Sequence, residues 1–457
     1  KGPFGINNPN ICNEALPSAI KFIDKFDAFQ DNPWPLLYKE LDQQYPNSKS
    51  DLFAIFMERA FKLLSQYGFN AQINMQSWMF LSSYEQLRSN LLEDHTFITM
   101  AHLGARAFSQ ISGEVVQTTA WIIRNKQIKK YQPTFYRLID GNEEEKQKAL
   151  LNRENEFAAT AQDDFKKIPG SPIAYWVNED LRNSFVLNEN LESIAPTRKG
   201  MVTARNEDYV RYWFEVSIIK SGLDRFPDRE AALQSGLKWF SYLKGGGYRK
   251  WYGNKLDVVN WEKDGWLLQN RKHPSEDRVW ATNFNLDYIF KPNVNWGAIS
   301  SFGFSARFSK GGELFDAGGS ACFPVKISAQ AVIGFLNSDM AQVLLNTLNP
   351  TLNFQAGNVA SLPISKKLDI KEVRDLVDRL IKIYRDDWDS KEFSWDFKNN
   401  CFIEHKNSSS LAEVFESYVD GLALIVNEAK GLESELNKII CRAYDQSDDI
   451  YPTELDN

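Results

Sequence analysis

The stretch from Ser50 to Arg124 constrains the fold more than any other, because its apolar residues alternate between helical and strand spacing. Ser50 and Asp51 stand where a helix cap belongs. Leu52, Phe53, Ile55, Phe56, Ala60, Phe61, Leu63 and Leu64 follow at helical spacing, and Gly68 is expected to end that helix. FNAQINM (69–75) reads as a strand. Ser82 and Glu85 have capping-box spacing and open a second helix through Leu92. TFITMAHL (96–103) is a second strand, and a loop through Gly104 and Gly113 leads to a third, EVVQTTAWIIR (114–124). This order is the closing half of an open α/β sheet, and the loop between the last two strands predicts an antiparallel final strand. Ligands of such sheets sit at the carboxyl ends of strands. Asn74, Met75, Gln76 and Ser77, with His102 to Phe108, are therefore expected near any active site.

The rest is less regular. Residues 1–41 carry only a short helical pattern around Ala19 to Phe29. Residues 141–165 are charged and read as a solvated linker or an inserted helix. Pro169, Gly170, Ser171 and Pro172 mark a domain boundary. Residues 173–364 look mixed, with short strands and many aromatics. The last hundred residues are helical. Val373, Leu376, Val377, Leu380, Ile381 and Tyr384 form one apolar stripe there. Leu411, Val414, Phe415, Tyr418, Val419, Leu422, Ile425 and Val426 form another, and both read as core or helix-pair surfaces.

One segment stands apart from the chain's overall charge. The protein has 53 Lys and Arg against 60 Asp and Glu, which excludes indiscriminate coating of nucleic acid. Yet residues 235–280 hold nine cations against five acids. At their centre lies KGGGYRKWYGN (244–254), with four glycines, three cations and three aromatics. Such a loop brings backbone and cations close to phosphate and aromatics close to bases. The bland alternative is a β-hairpin turn at Gly245 to Gly247 with Trp251 and Tyr252 in the core. SKGGELFDAGGSACF (309–323) lacks the order of a phosphate-binding loop and reads as turns between short strands.

Other chemistries find no support. Cys12, Cys322, Cys401 and Cys441 are far apart, and His95, His102, His273 and His405 have no metal-binding spacing. These features predict a reduced, cytoplasmic compartment and no metal, and no apolar run has membrane-spanning length. No Ser-His-Asp arrangement and no nuclease-like acidic cluster stands out. Glu58, Glu85 and Glu114 read as surface or capping residues.

Residues 45–88 and 98–124 resemble the PglX-type adenine-specific DNA methyltransferases of BREX phage-defence systems, whose broader relatives are fused methyltransferase and restriction enzymes of Eco57I type. KKIPGSPIAYW (166–176), KGGGYRKWYGN with VVNWEKDG (258–265), and residues 336–364 resemble later parts of the same family. The last of these also resembles the end of target recognition domains in Type I specificity subunits. The resemblance implies a partial Rossmann-like methyltransferase sheet (42–168), a mixed α/β target recognition domain (169–364) and a helical C-terminal region (365–457), after a poorly matched segment (1–41). It implies S-adenosylmethionine as methyl donor and adenine N6 of double-stranded DNA as acceptor, the base being flipped out of the stack. Other BREX proteins and a DNA-mimicking phage inhibitor are the expected partners.

The family's Asn-Pro-Pro-Tyr loop and glycine-rich donor loop are not found in the sequence, and Asn32, Pro33, Trp34 and Pro35 read as a helix start. This departure raises the expectation of a partial chain, and with it the alternative of a non-catalytic recognition module. By the resemblance, Asp51, Phe53 and Phe56 lie under the donor site, and Asn74 to Trp78 form the next strand end. Phe108 is the candidate for the second face of the flipped adenine. Lys244, Arg249, Lys250, Arg271 and Lys272 are the candidate DNA contacts, with Trp251 packing. Charge reversal at Arg249 and Lys250 is expected to abolish specific DNA binding without unfolding the protein.

Overall fold

The structure, a computed structural model, describes residues 39–446 apart from 42, 111–115 and 405–409. The readings placed on Ala19–Phe29, Asn32–Pro35, Gly113, Glu114, Cys12 and His405 lie outside the described residues. The chain divides into two compact units, 1–162 and 163–457.

In the first unit, helix α1 (Leu52–Leu63) begins where Asp51 Oδ1 accepts from the Phe53 amide at 3.4 Å. It buries Ala54, Ile55, Met57 and Phe61. It stops at Leu64, whose backbone is extended, so Gly68 is not its terminator. Strand β1 (Phe69–Met75) follows, then α2 (Glu85–Asp94), β2 (Thr96–Gly104), β3 (Thr118–Arg124) and β4 (Thr134–Arg137). Ser82 does not cap α2. It starts a 3-10 turn (Ser82–Tyr84), and Tyr84 precedes the helix without a side-chain cap. The strand order is β1-β3-β2-β4, completed by β5 (Glu156–Phe157). As expected, β3 is antiparallel to its neighbours, and it sits between β1 and β2. Strands β1, β2 and β4 therefore run the same way, and their carboxyl ends share one edge.

The charged segment 141–165 is not a solvated linker. Helix α3 (Glu143–Leu151) carries a capping box between Asn142 and Glu145 and is tied down by buried Lys146. That ammonium donates to the carbonyl oxygens of Leu103 at 2.6 Å and of Leu138 and Ile139 at 2.8 Å. Three donors meet three acceptors, which is what allows a lysine to be buried.

The second unit holds two four-stranded sheets. In one, β12 (Leu314–Phe315), β8 (Trp239–Leu243), β9 (Asp257–Asn260) and β7 (Val210–Tyr212) are neighbours in that order. In the other the order is β11 (Ala306–Ser309), β10 (Asn293–Trp296), β13 (Ala321–Cys322) and β6 (Thr197–Arg198). The glycine-rich 309–323 is thus turns between short strands. Helix α4 (Ala329–Leu336) packs on β10 and β11 of the second sheet, α5 (Asp339–Leu348) and α6 (Lys371–Asp389) pack on α4, and α8 (Leu411–Ala443), preceded by a short α7 (Cys401–Glu404), packs on α5 and α6. One core runs from Ile168 through Trp296 and Leu344 to Val377, Leu436 and Tyr444. Helices α6 and α8 are therefore not a separate body: Val373, Leu376, Val377 and Leu380 of α6 and Leu432, Leu436 and Ile440 of α8 lie in the same core as Val294 and Trp296 of the second sheet. The stripe of α6 is buried as expected, but that of α8 before Ala429 is mostly exposed, Val414 excepted. Among the described residues no helix is long and apolar enough to cross a membrane.

Candidate functional site

At the carboxyl edge of the first sheet, His102 Nε2 lies 2.6 Å from Gln76 Oε1, and Gln76 in turn donates to Gln117. Chain positions expected near a ligand are thus brought together, and Gln117 joins them through the strand pairing of β3, which nothing in its local sequence signals. Burial pulls the His102 imidazole down to about 3, with Arg137 and Lys146 adding to the effect. A neutral histidine here orients an amide and does not carry charge. The loop leaving β2 is held at both ends of its described part. Lys146 fixes Leu103, and the Ser109 amide donates to Glu143 Oε2 at 2.7 Å. Between them, Phe108 is 37% exposed.

Asp51, Phe53 and Phe56 share the start of α1. Phe53 is half-buried, its ring 5.6 Å from that of Tyr84. Phe56 is 65% exposed, and Asp51 is exposed with only Oδ1 used in capping. A free aromatic face and a free carboxylate oxygen fit the base and ribose hydroxyls of a nucleoside.

The stretch 244–254 begins the loop that joins antiparallel β8 and β9, and it is wider than a hairpin turn. Gly245 has φ +87°, and a Cβ there would lie 2.3 Å from the Gly318 carbonyl oxygen. Gly253 has φ +125°, and a Cβ would meet Arg249 Nε at 2.5 Å. Gly245 thus serves a close backbone approach, and Gly253 makes room for the Arg249 and Trp388 side chains. Trp251 is buried in the core shared with α6 and α8, despite a strained φ of +66°. Its Nε1 donates to Glu433 Oε1 at 2.6 Å, and its amide to the Ala306 carbonyl at 2.8 Å.

The cations of this loop are engaged within the molecule. Arg249 donates to the Tyr384 carbonyl and to Asp387 Oδ2, both at 2.8 Å, while Lys250 lies 3.4 Å from Glu433 Oε2. Lys255, at the loop's far end, is buried between Asp224 at 2.6 Å and Glu313 at 2.7 Å. Burial pushes the Glu313 carboxyl up to about 7, with Asp224 adding to it. Arg271 pairs with Asp208 at 2.5 Å and exposed Lys272 with Asp277 at 3.1 Å. Lys244, half-buried, forms no ion pair among the described residues. Gly246, Gly247 and Tyr248 are exposed beside it. Of the cations in 235–280, Arg249 and Lys250 are therefore paired with acids from α6 and α8, more than 130 residues away in sequence, and Lys255, Arg271 and Lys272 with acids nearer by. The expectation that Arg249 and Lys250 can be reversed without effect on the fold does not stand, because reversal would set like charges against Asp387 and Glu433.

The family described as Eco57I restriction-modification methylase matches residues 25–108. The chain is 45% identical over 402 residues, 87% of its length, to the adenine-specific methyltransferase BrxX of Escherichia coli O9:H4 (strain HS). It is 37% identical over 432 residues, 92% of its length, to the adenine-specific methyltransferase PglX of Lacticaseibacillus casei (strain Zhang). It spans about a third of those relatives, 32% and 36% of their lengths. A Type IIL restriction-modification enzyme, MmeI, solved in complex with DNA, superimposes with a TM-score of 0.53 at 11% identity, over 92% of this chain and 53% of that one. That likeness speaks to the fold alone, and it agrees with a mixed α/β methyltransferase-like architecture. Together these relationships show that the chain is similar to the adenine-specific methyltransferases BrxX and PglX over about a third of their length, and that its residues 25–108 are similar to the Eco57I restriction-modification methylases.

Proposed function

We propose that this chain acts in site-specific methylation of adenine N6 in double-stranded DNA, as part of a BREX anti-phage defence system. The observation that carries the reading is its 45% identity over 402 residues to a protein named an adenine-specific methyltransferase. The same identity weighs against a non-catalytic recognition module. S-adenosylmethionine, when bound, supplies an electrophilic methyl group. In this reading Phe56 and Asp51 meet its nucleoside, with half-buried Phe53 supporting them. Phe108 meets the flipped adenine, whose amino group is inaccessible inside the duplex. Neutral His102 holds Gln76 at the same edge. In the second unit, Lys244 and Lys272 meet phosphates, Arg271 is presented by Asp208, and Arg249 and Lys250 act on DNA by holding the loop. The partners in that setting are duplex DNA, other BREX proteins and an acidic DNA-mimicking phage inhibitor, and the compartment is the cytoplasm.

The test is transfer of tritiated methyl from S-adenosylmethionine to a pool of duplexes, with digestion to nucleosides, alongside calorimetric titration of the donor. Label in N6-methyladenine, lost in Phe108→Ala with donor binding kept, is the expected result. A chain that neither binds donor nor labels DNA overturns the reading.

A further inference from the structure

In the second unit the loop between β8 and β9, helix α6 with the residues after it, and the turn joining β11 to β12 enclose a cavity of about 140 Å³. It is lined by Tyr252, Lys255, Lys310, Arg385 and Asp396. That is about ten times the ~10–15 Å³ that one water needs, so the cavity admits a polyatomic guest. The Arg385 guanidinium lies 4.8 Å from the Tyr252 ring centroid, a contact that fixes its plane. Its buried Nε meets no acceptor, and the residue forms no ion pair among the described residues. Lys310, exposed on the turn ahead of Gly311 and Gly312, is likewise unpaired among the described residues. Lys255 differs, because its charge is already met by Asp224 and Glu313. Asp396 lines the same cavity without an ion pair to either free cation. It is held there, its amide donating to Ser394 Oγ at 3.2 Å and Ser394 Oγ donating to Asp389 Oδ1 at 2.8 Å.

Two unpaired cations with a carboxylate beside them favour an anion that can also donate a hydrogen bond. Sulfate and the phosphodiesters of DNA carry no proton near neutral pH and would set bare oxygen against Asp396. A phosphate monoester loses its proton near pH 6. Inorganic phosphate keeps a P–OH in both of the forms present near neutral pH. We propose that this cavity binds inorganic phosphate, with Arg385 and Lys310 donating to its oxygens and Asp396 accepting from its P–OH. Hydrogen bonds from cations to an oxyanion are the strong class, and a guanidinium offers parallel N–H groups to two oxygens at once. The bound ion ties the β8–β9 loop to α6 and to the β11–β12 turn, so it stabilises the second unit where those elements meet. The proposal does not depend on the DNA reading of Lys244 and Lys272.

The test is calorimetric titration of the full chain, in chloride buffer, with phosphate, sulfate and dimethyl phosphate, the last standing for a DNA backbone diester. Phosphate is expected to bind at least ~10-fold more tightly than either and to raise the thermal midpoint. Lys310→Ala is expected to lower phosphate affinity by ~10-fold or more. Asp396→Asn keeps the shape but can donate as well as accept, so the preference for phosphate over sulfate should shrink to ~3-fold or less. Both side chains are exposed, and an unchanged melt in chloride checks that the fold is kept. Lost discrimination in an intact fold is a result that a merely structural Asp396 does not give. Equal binding of phosphate and sulfate, no phosphate binding at about 10 mM, or a preference untouched by Asp396→Asn overturns the proposal. So does dimethyl phosphate binding as tightly as phosphate, because the cavity would then be a seat for the DNA backbone.

Discussion

Lys146 and His102 lie within the same unit, and each meets the penalty for burial in its own way. Lys146 matches three N–H donors to three carbonyls. Lys146→Met keeps much of the volume and strands all three acceptors, so unfolding in urea should show a loss of about 2–4 kcal/mol. His102 is neutral in the fold, its value lowered to about 3 by burial. An unfolded histidine titrates near 6.5, so between those values the unfolded chain binds the extra proton. The contribution of His102 is complete above pH 6.5 and is lost as pH falls toward 3. Stability measured across that window should fall with a slope of up to about 1.4 kcal/mol per pH unit from this residue. His102→Gln should remove that part of the slope, and an unchanged profile would refute the assignment. The location of His102 was legible from the strand that carries it. Its link through Gln76 to Gln117 was not, because antiparallel β3 brings Gln117 in from across the sheet.

The decisive element in the second unit is the loop between β8 and β9. Its composition resembles that of a nucleic-acid-binding loop, but Arg249, Lys250 and Trp251 fasten it to α6 and α8. Glu433 accepts from Trp251 Nε1 at 2.6 Å, from Tyr384 at 3.3 Å and from Lys250 at 3.4 Å. Glu433→Ala should cost about 2–4 kcal/mol, because it leaves a buried indole N–H and a half-buried ammonium without an acceptor. Double-mutant cycles with Lys250→Met would separate the two contributions. Gly245→Ala drives a methyl into the backbone of Gly318 at 2.3 Å and should destabilise by more than ~1 kcal/mol, read as a lower denaturation midpoint. Arg249→Glu, which leaves Asp387 facing a like charge, should lower stability before it says anything about DNA. The glycines and Trp251 could be singled out from sequence, but their acids could not, since Asp387 and Glu433 look like ordinary polar-face residues of amphipathic helices.

For the whole molecule, DNA affinity should follow the cations that remain free. Lys244→Ala should weaken binding of all duplexes alike and reduce the slope of log K against log salt by about one, whereas an unaltered slope would remove Lys244 from the interface. The sequence by itself determined the α/β alternation of 52–124, the antiparallel third strand, the buried stripe of α6 and the family resemblance. All of these rest on local periodicity or on contiguous motifs. Tertiary structure alone decided that α6 and α8 complete the second unit's core, that Lys146 is a buried clamp, and that the basic loop is largely neutralised. Those outcomes depend on which distant acid or carbonyl a cation meets once the chain has collapsed. A charge reads the same in sequence whether its partner is solvent, phosphate or a carboxylate more than 130 residues away.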